Sequence, residues 1–136
     1  MNLHHIGVLV ADISEASTQY IDLGYRPRTA IVRDPIQTAY VQFFQLPGDH
    51  SYVELIAPDG PESKLSNALR KSPGLHHICY STAEIEAACD RLGAMGCFLI
   101  SPPVRAEAFQ GRRIAWLRGL DRMLMELVER GPEGEV

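Results

Sequence analysis

No apolar run in this sequence approaches the roughly 20 residues of a membrane-spanning helix, and the N-terminus has neither the basic start nor the apolar stretch of a leader peptide. A cytoplasmic location is the expectation. Cysteine is scarce, and Cys79, Cys89 and Cys97 are odd in number with no metal-ligand or redox spacing. That argues against a disulfide framework and leaves reduced thiols in small core positions as the simplest reading. Positive charge is thin as well: 13 basic residues stand against 17 acidic ones, for a formal net charge of −4. The basic residues are dispersed, without the stripe that a phosphate backbone requires, so neither nucleic acid nor a membrane is expected as a partner. What is present is a chain of 136 residues, 46% of them apolar, which is enough for one compact domain and too little for two ordinary ones.

The strongest signal is an internal repeat. His4-His5-Ile6-Gly7 returns as His76-His77-Ile78-Cys79, and Tyr52-Val53-Glu54-Leu55-Ile56 returns as Leu124-Met125-Glu126-Leu127-Val128. In both cases the offset is 72, and Gly24 and Gly96, each closing a helical pattern, share it. Three coincidences in one register point to a duplicated half. The expected fold is therefore α+β, with two tandem βαβββ modules forming a cupped mixed sheet: module one over 1–57, a connector over 58–73, module two over 74–130 and a frayed tail over 131–136.

Each module can be outlined. Leu3 to Ala11 is a branched-residue strand, and Asp12 with Glu15 forms a helix N-terminus leading to Gly24. In the second half Leu75 to Tyr80 is the strand and Ser81 with Glu84 the capping pair. Ile85, Ala88, Cys89, Leu92 and Met95 then give an apolar helical face that ends at Gly96. Three further strands complete each module: Tyr25 to Ile31, Thr38 to Leu46 and Ser51 to Ile56, then Cys97 to Ile100, Arg113 to Leu117 and Met123 to Val128. Leu65, Ala68 and Leu69 predict a short helix in the connector.

Strand alternation decides which side chains share a face. Ile6 and Val8 fall on the helix side and leave His5 on the concave side, and the same count puts His77 and Cys79 there. Val53 and Leu55 belong to the core, as do Met125 and Leu127, so Glu54 and Glu126 face the cup. His4 and His76 fall on the opposite face and read as structural. One histidine beside an apolar strand is ordinarily a hydrogen-bonded structural residue, and one strand glutamate ordinarily faces solvent. Two of each are repeated in register on one concave face, and clustered inward carboxylates without a cation would repel and be costly to desolvate. His5, Glu54, His77 and Glu126 are thus the expected ligands of one divalent metal ion. The mixed N/O donor set suits Zn, Ni, Co, Mn or Fe.

The order His5-Ile6-Gly7, Val53-Glu54-Leu55-Ile56-Ala57-Pro58, Gly74-Leu75-His76-His77 and Leu124-Met125-Glu126-Leu127 resembles the vicinal oxygen chelate superfamily from Leu3 to Arg130. That superfamily includes glyoxalase I, methylmalonyl-CoA epimerase, extradiol dioxygenases and fosfomycin-resistance proteins. The resemblance implies a homodimeric enzyme that transfers a proton next to a carbonyl, with Glu126 or Glu54 as base and a CoA or glutathione thioester as substrate. The layout is closest to the epimerase, including Arg112-Arg113-Ile114-Ala115-Trp116-Leu117, whereas the His, Glu, His, Glu set is that of bacterial glyoxalase I. Gln42 aligns with a second epimerase base and is expected on the cup face as a substrate contact, as is Cys79. A dioxygenase and a non-catalytic small-molecule binder are the remaining alternatives.

Overall fold

The computed structural model describes residues 1–136 as one mixed sheet of nine strands with three helices. The first half contributes β1 (Asn2–Leu9), α1 (Ile13–Asp22), β2 (Arg26–Pro27), β3 (Val32–Asp34), β4 (Ala39–Gln45) and β5 (Tyr52–Pro58). After α2 (Ser66–Lys71), the second half contributes β6 (Gly74–Thr82), α3 (Ile85–Ala94), β7 (Phe98–Arg105), β8 (Arg113–Arg118) and β9 (Leu124–Glu129). The strand order is β2-β4-β5-β1-β6-β9-β8-β7, with β3 also paired to β4. In each half the first strand runs parallel to the last, β1 with β5 and β6 with β9. The halves meet where β1 and β6 pair antiparallel at the centre, which relates them by a local two-fold axis. The α+β class and cupped sheet expected from the repeat are those of the structure. No helix is long and apolar enough to cross a membrane.

Local chemistry accounts for the helix ends. Asp12 accepts a hydrogen bond from the Glu15 amide at 3.0 Å and starts α1. Gly24 and Gly96 take the left-handed conformation that reverses the chain after α1 and α3. Three expectations need correction. Ser81 does not cap α3: β6 continues through Thr82, whose hydroxyl accepts from the Glu84 amide. Of the strand expected over Tyr25 to Ile31 only β2 forms, and β3 begins one residue beyond its expected end; both pair with β4, and Pro27 removes one ladder donor where β2 stops. β7 runs past Ile100 through Pro102 and Pro103, which an edge strand with irregular register accommodates.

The sheet buries both faces. Ile13, Phe44, Leu55 and Ala57 pack under α1, and Ile85, Ala88, Leu117 and Leu127 under α3. Cys89 belongs to the second of these clusters. On the concave face Phe43, Tyr52, Phe109 and Ile114 form the principal cluster, with Leu9, Val41 and Ile56 beside it. This concave packing, more than the helices, fixes the side chains described next.

Candidate metal centre and cavity

His5 and His77 come from the two central strands, Glu54 and Glu126 from the strands flanking them. The register is tight: Gly7 pairs with both Glu54 and His77, and Cys79 with both His5 and Glu126. All four ligand candidates are buried, His5 and His77 completely. One donor atom from each lies within 4.8 Å of the other three. The Nε2 atoms of His5 and His77 are 2.9 Å apart. Glu126 Oε2 stands 3.3 Å from His5 and 3.1 Å from His77, and Glu54 Oε1 stands 3.7 and 3.4 Å from the same nitrogens.

These separations match a cage for a first-row divalent cation. Ligand bonds of about 2.1 Å place neighbouring donors about 3.0 to 3.4 Å apart. Glu54 Oε1 supplies an independent sign, because it is buried without any hydrogen-bond partner. A carboxylate oxygen in that condition is costly unless a cation faces it. Burial by itself would lower the His77 pKa, but the adjacent Glu126 and Glu54 carboxylates together outweigh it and raise it to about 9. Burial likewise opposes ionisation of Glu126, yet the hydrogen-bonding contacts and charge of His5 and His77 hold it down at about 2.

Two β-bulges change the picture drawn from alternation. Between Leu3 and His5 the register of β1 against β6 slips by one, with His4 as the extra residue; between Gly7 and Val8 it slips again, with His76 as the extra residue. Each bulge turns its histidine onto the concave side, next to the following one, so His4 and His76 do not lie on the helix face. His4 Nδ1 meets His5 Nδ1 at 2.8 Å, and His76 Nδ1 meets His77 Nδ1 at the same distance. Each candidate ligand is thus braced through its remote nitrogen, leaving Nε2 for the centre. Burial first and the neighbouring imidazole second depress His4 to about 3 and His76 to about 4.

Gly7 makes room for this packing. A β-carbon there would overlap the imidazole of His77. Gly7→Ala is therefore expected to displace that ring and to lower stability by about 1–3 kcal/mol, the usual cost of overpacking. Thermal unfolding compared with wild type measures it, and an unchanged midpoint would show that the ring has slack.

A cavity of about 310 Å³ opens above the centre. Glu54 and Glu126 reach it, together with His76, Trp116, Gln37 and Arg118. The Trp116 indole donates to Gln37 Oε1 at 3.2 Å and stands edge-on to His77, joining the two halves across the cup. Asp34 also borders the cavity, but its oxygens accept from the amides of Ile36, Gln37 and Glu107 and it is 1% exposed. Its lone pairs are engaged in holding loops and not in chemistry.

Two expected substrate contacts are absent from this cavity. Gln42 pairs with Leu55 and Phe43 with Glu54, so Phe43 faces the cup and Gln42 the opposite side. The Gln42 amide donates to the Thr29 carbonyl at 3.0 Å, and the residue does not line the site. Cys79 does face inward, but it is fully buried among Phe43, Tyr52 and Phe109 and does not reach the cavity. Burial, then the Glu126 and Glu54 charges, push its thiol pKa up. Sequence reading missed Gln37, Trp116 and Arg118 as cavity residues. Trp116, on the cup face opposite Glu126, was within reach of the same alternation that located the ligands.

Residues 4–116 match the Glyoxalase/Bleomycin resistance protein/Dioxygenase superfamily, and the chain belongs to that family. It is 31% identical over 121 residues to the ethylmalonyl-CoA/methylmalonyl-CoA epimerase of Cereibacter sphaeroides, spanning 88% of this chain and 89% of the relative. Methylmalonyl-CoA epimerase from Mycobacterium tuberculosis superposes with a TM-score of 0.80 at 28% identity, covering 97% of this chain and 89% of the other. A hypothetical protein from Bacillus halodurans superposes with a TM-score of 0.86 at 26% identity, covering 99% and 98%.

Proposed function

We propose that this chain is a divalent-metal-dependent epimerase that inverts the carbon next to the thioester carbonyl of an acyl-CoA of the methylmalonyl kind. The observation carrying the reading is the buried His5, Glu54, His77 and Glu126 cluster, with its unpartnered carboxylate oxygen, at the floor of the cavity. An ion held by these four residues supplies Lewis acidity toward a substrate carbonyl, lowering the cost of removing the neighbouring proton. Zn, Ni, Co, Mn and Fe all suit the donor set.

Inversion requires a proton to leave one face of the carbon and another to arrive on the opposite face. Glu126 and Glu54 are suited to this exchange, because they project from symmetry-related strands and both border the cavity. Glu126 takes the proton and leaves a planar carbanion equivalent. Glu54, when it enters the cycle as the protonated carboxylic acid, delivers its proton to the other face and is left as the carboxylate; the reverse direction starts from the opposite pair of protonation states, Glu126 as the acid and Glu54 as the base. Asp34 is too fully engaged to join them. Phe109, Ile114 and Trp116 line the cup and exclude water from the exposed carbanion. Pairing of two copies and a location in the cytoplasm are part of this reading; exposed Leu75, Phe98 and Leu120 offer apolar surface for a partner.

Incubation of the metal-loaded protein with methylmalonyl-CoA in deuterium oxide tests the proposal. Racemisation with deuterium entering at the α carbon is the expected result. Turnover of the methylglyoxal-glutathione adduct without action on the acyl-CoA would replace it with a glyoxalase activity.

A pH effect follows from His77. With its pKa near 9 in the metal-free protein, it carries a proton at neutral pH that an incoming cation must displace. Zinc affinity is expected to climb about tenfold per pH unit up to near pH 9 and then level off. Competition with a chelator of known affinity measures the slope, and a flat profile would contradict the assignment.

A further inference from the structure

We propose that His76 is a substrate-positioning residue whose Nε2–H donates a hydrogen bond to the free carboxylate of the acyl thioester. This rests on the reading above and extends it to a residue outside the four ligands. A histidine that offers Nε2 to a cation must carry its hydrogen on Nδ1. In His77 that Nδ1 lies 2.8 Å from Nδ1 of His76, so His77 donates and His76 accepts. His76 is thereby held in one tautomer, with its hydrogen on Nε2.

The first half contains the same relay, but it ends differently. His4 Nε2 is buried without a partner, enclosed by Phe43, Tyr52 and Phe109. His76 is only half-buried, borders the cavity beside Glu126, and makes no hydrogen bond through Nε2 within the protein. Trp116 stands edge-on to its ring at 6.2 Å and limits its rotation. Arg118 borders the same cavity, and its guanidinium has no acidic partner. One neutral donor whose Nε2 has no partner in the protein and one cation without an acidic partner therefore border the same cavity. A carboxylate satisfies both, and a malonyl-type thioester carries one on the reacting carbon.

Two substitutions separate the ring nitrogens. His76→Asn keeps an acceptor for His77 near the Nδ1 position and removes the cavity donor; His76→Gln restores a donor near the Nε2 position. His76→Asn is expected to retain wild-type metal content and raise KM for methylmalonyl-CoA about tenfold. Its affinity for propionyl-CoA, which lacks the carboxylate, should stay unchanged, and His76→Gln should recover most of the KM. On the wild-type protein, nitrogen-15 spectroscopy should find the His76 hydrogen on Nε2, and methylmalonyl-CoA should shift that resonance more than propionyl-CoA does. Equal shifts from the two thioesters, a hydrogen on Nδ1, or an equal loss of affinity for propionyl-CoA in His76→Asn would overturn the proposal. A wild-type protein that takes up no metal would instead remove the reading beneath it, and metal analysis distinguishes the two failures.

Discussion

Replacing His77 with Ala is expected to reduce bound metal from one ion per chain to a trace. The substitution removes one of two nitrogen donors from a cluster whose His–His and His–Glu separations lie between 2.9 and 3.7 Å. It also takes away the ring that packs on Gly7 and Trp116, so water enters where a donor stood. Sharing the binding free energy of a four-ligand zinc site equally makes each ligand worth about 3 kcal/mol, or a factor of a hundred or more in affinity. Elemental analysis after loading and dialysis reads this directly. Equal metal in wild type and variant would mean that the cluster is not the binding site.

Glu126→Gln is expected to lower turnover by about a hundredfold or more at full metal occupancy, since general base catalysis typically contributes that much. The amide is nearly isosteric and keeps one oxygen for the cation, but it cannot accept the α proton. Glu54→Gln makes the comparison informative. If the two carboxylates serve opposite faces of the carbon, each single variant should lose racemisation, yet each should still exchange deuterium into one enantiomer. Retention of full racemisation by Glu126→Gln at equal metal would exclude it as a base.

The fold was legible because duplication writes the same pattern twice. An offset of 72 tied His5 to His77 and Glu54 to Glu126, and period-two alternation then turned those four inward, where the structure has them. Alternation failed where its premise fails. A bulge adds a residue to one strand only, so His4 and His76 moved to the concave side with no compositional mark to announce it. Gln42 was misplaced by one position of register, since Phe43 is the residue opposite Glu54. Cys79 was assigned to the correct face, but facing inward is not the same as reaching the cavity, and the aromatic cluster around it is a tertiary fact. Gln37 joins the site through a turn far from Trp116 in sequence, a contact that no local pattern encodes.

The central seam of the sheet bears on how the protein assembles and persists. β1 and β6 complete each other, and the four inward side chains run from the first strand of the chain to the last. A nascent chain cannot finish the cluster until β9 has docked, so these contacts form late and over long sequence separations, a topology that folds slowly. An ion that binds only the finished arrangement would then act as a latch. It would raise the midpoint of unfolding with the logarithm of its free concentration and slow the opening of the seam. The resistance of this chain to proteolysis would track metal supply even when no substrate is present.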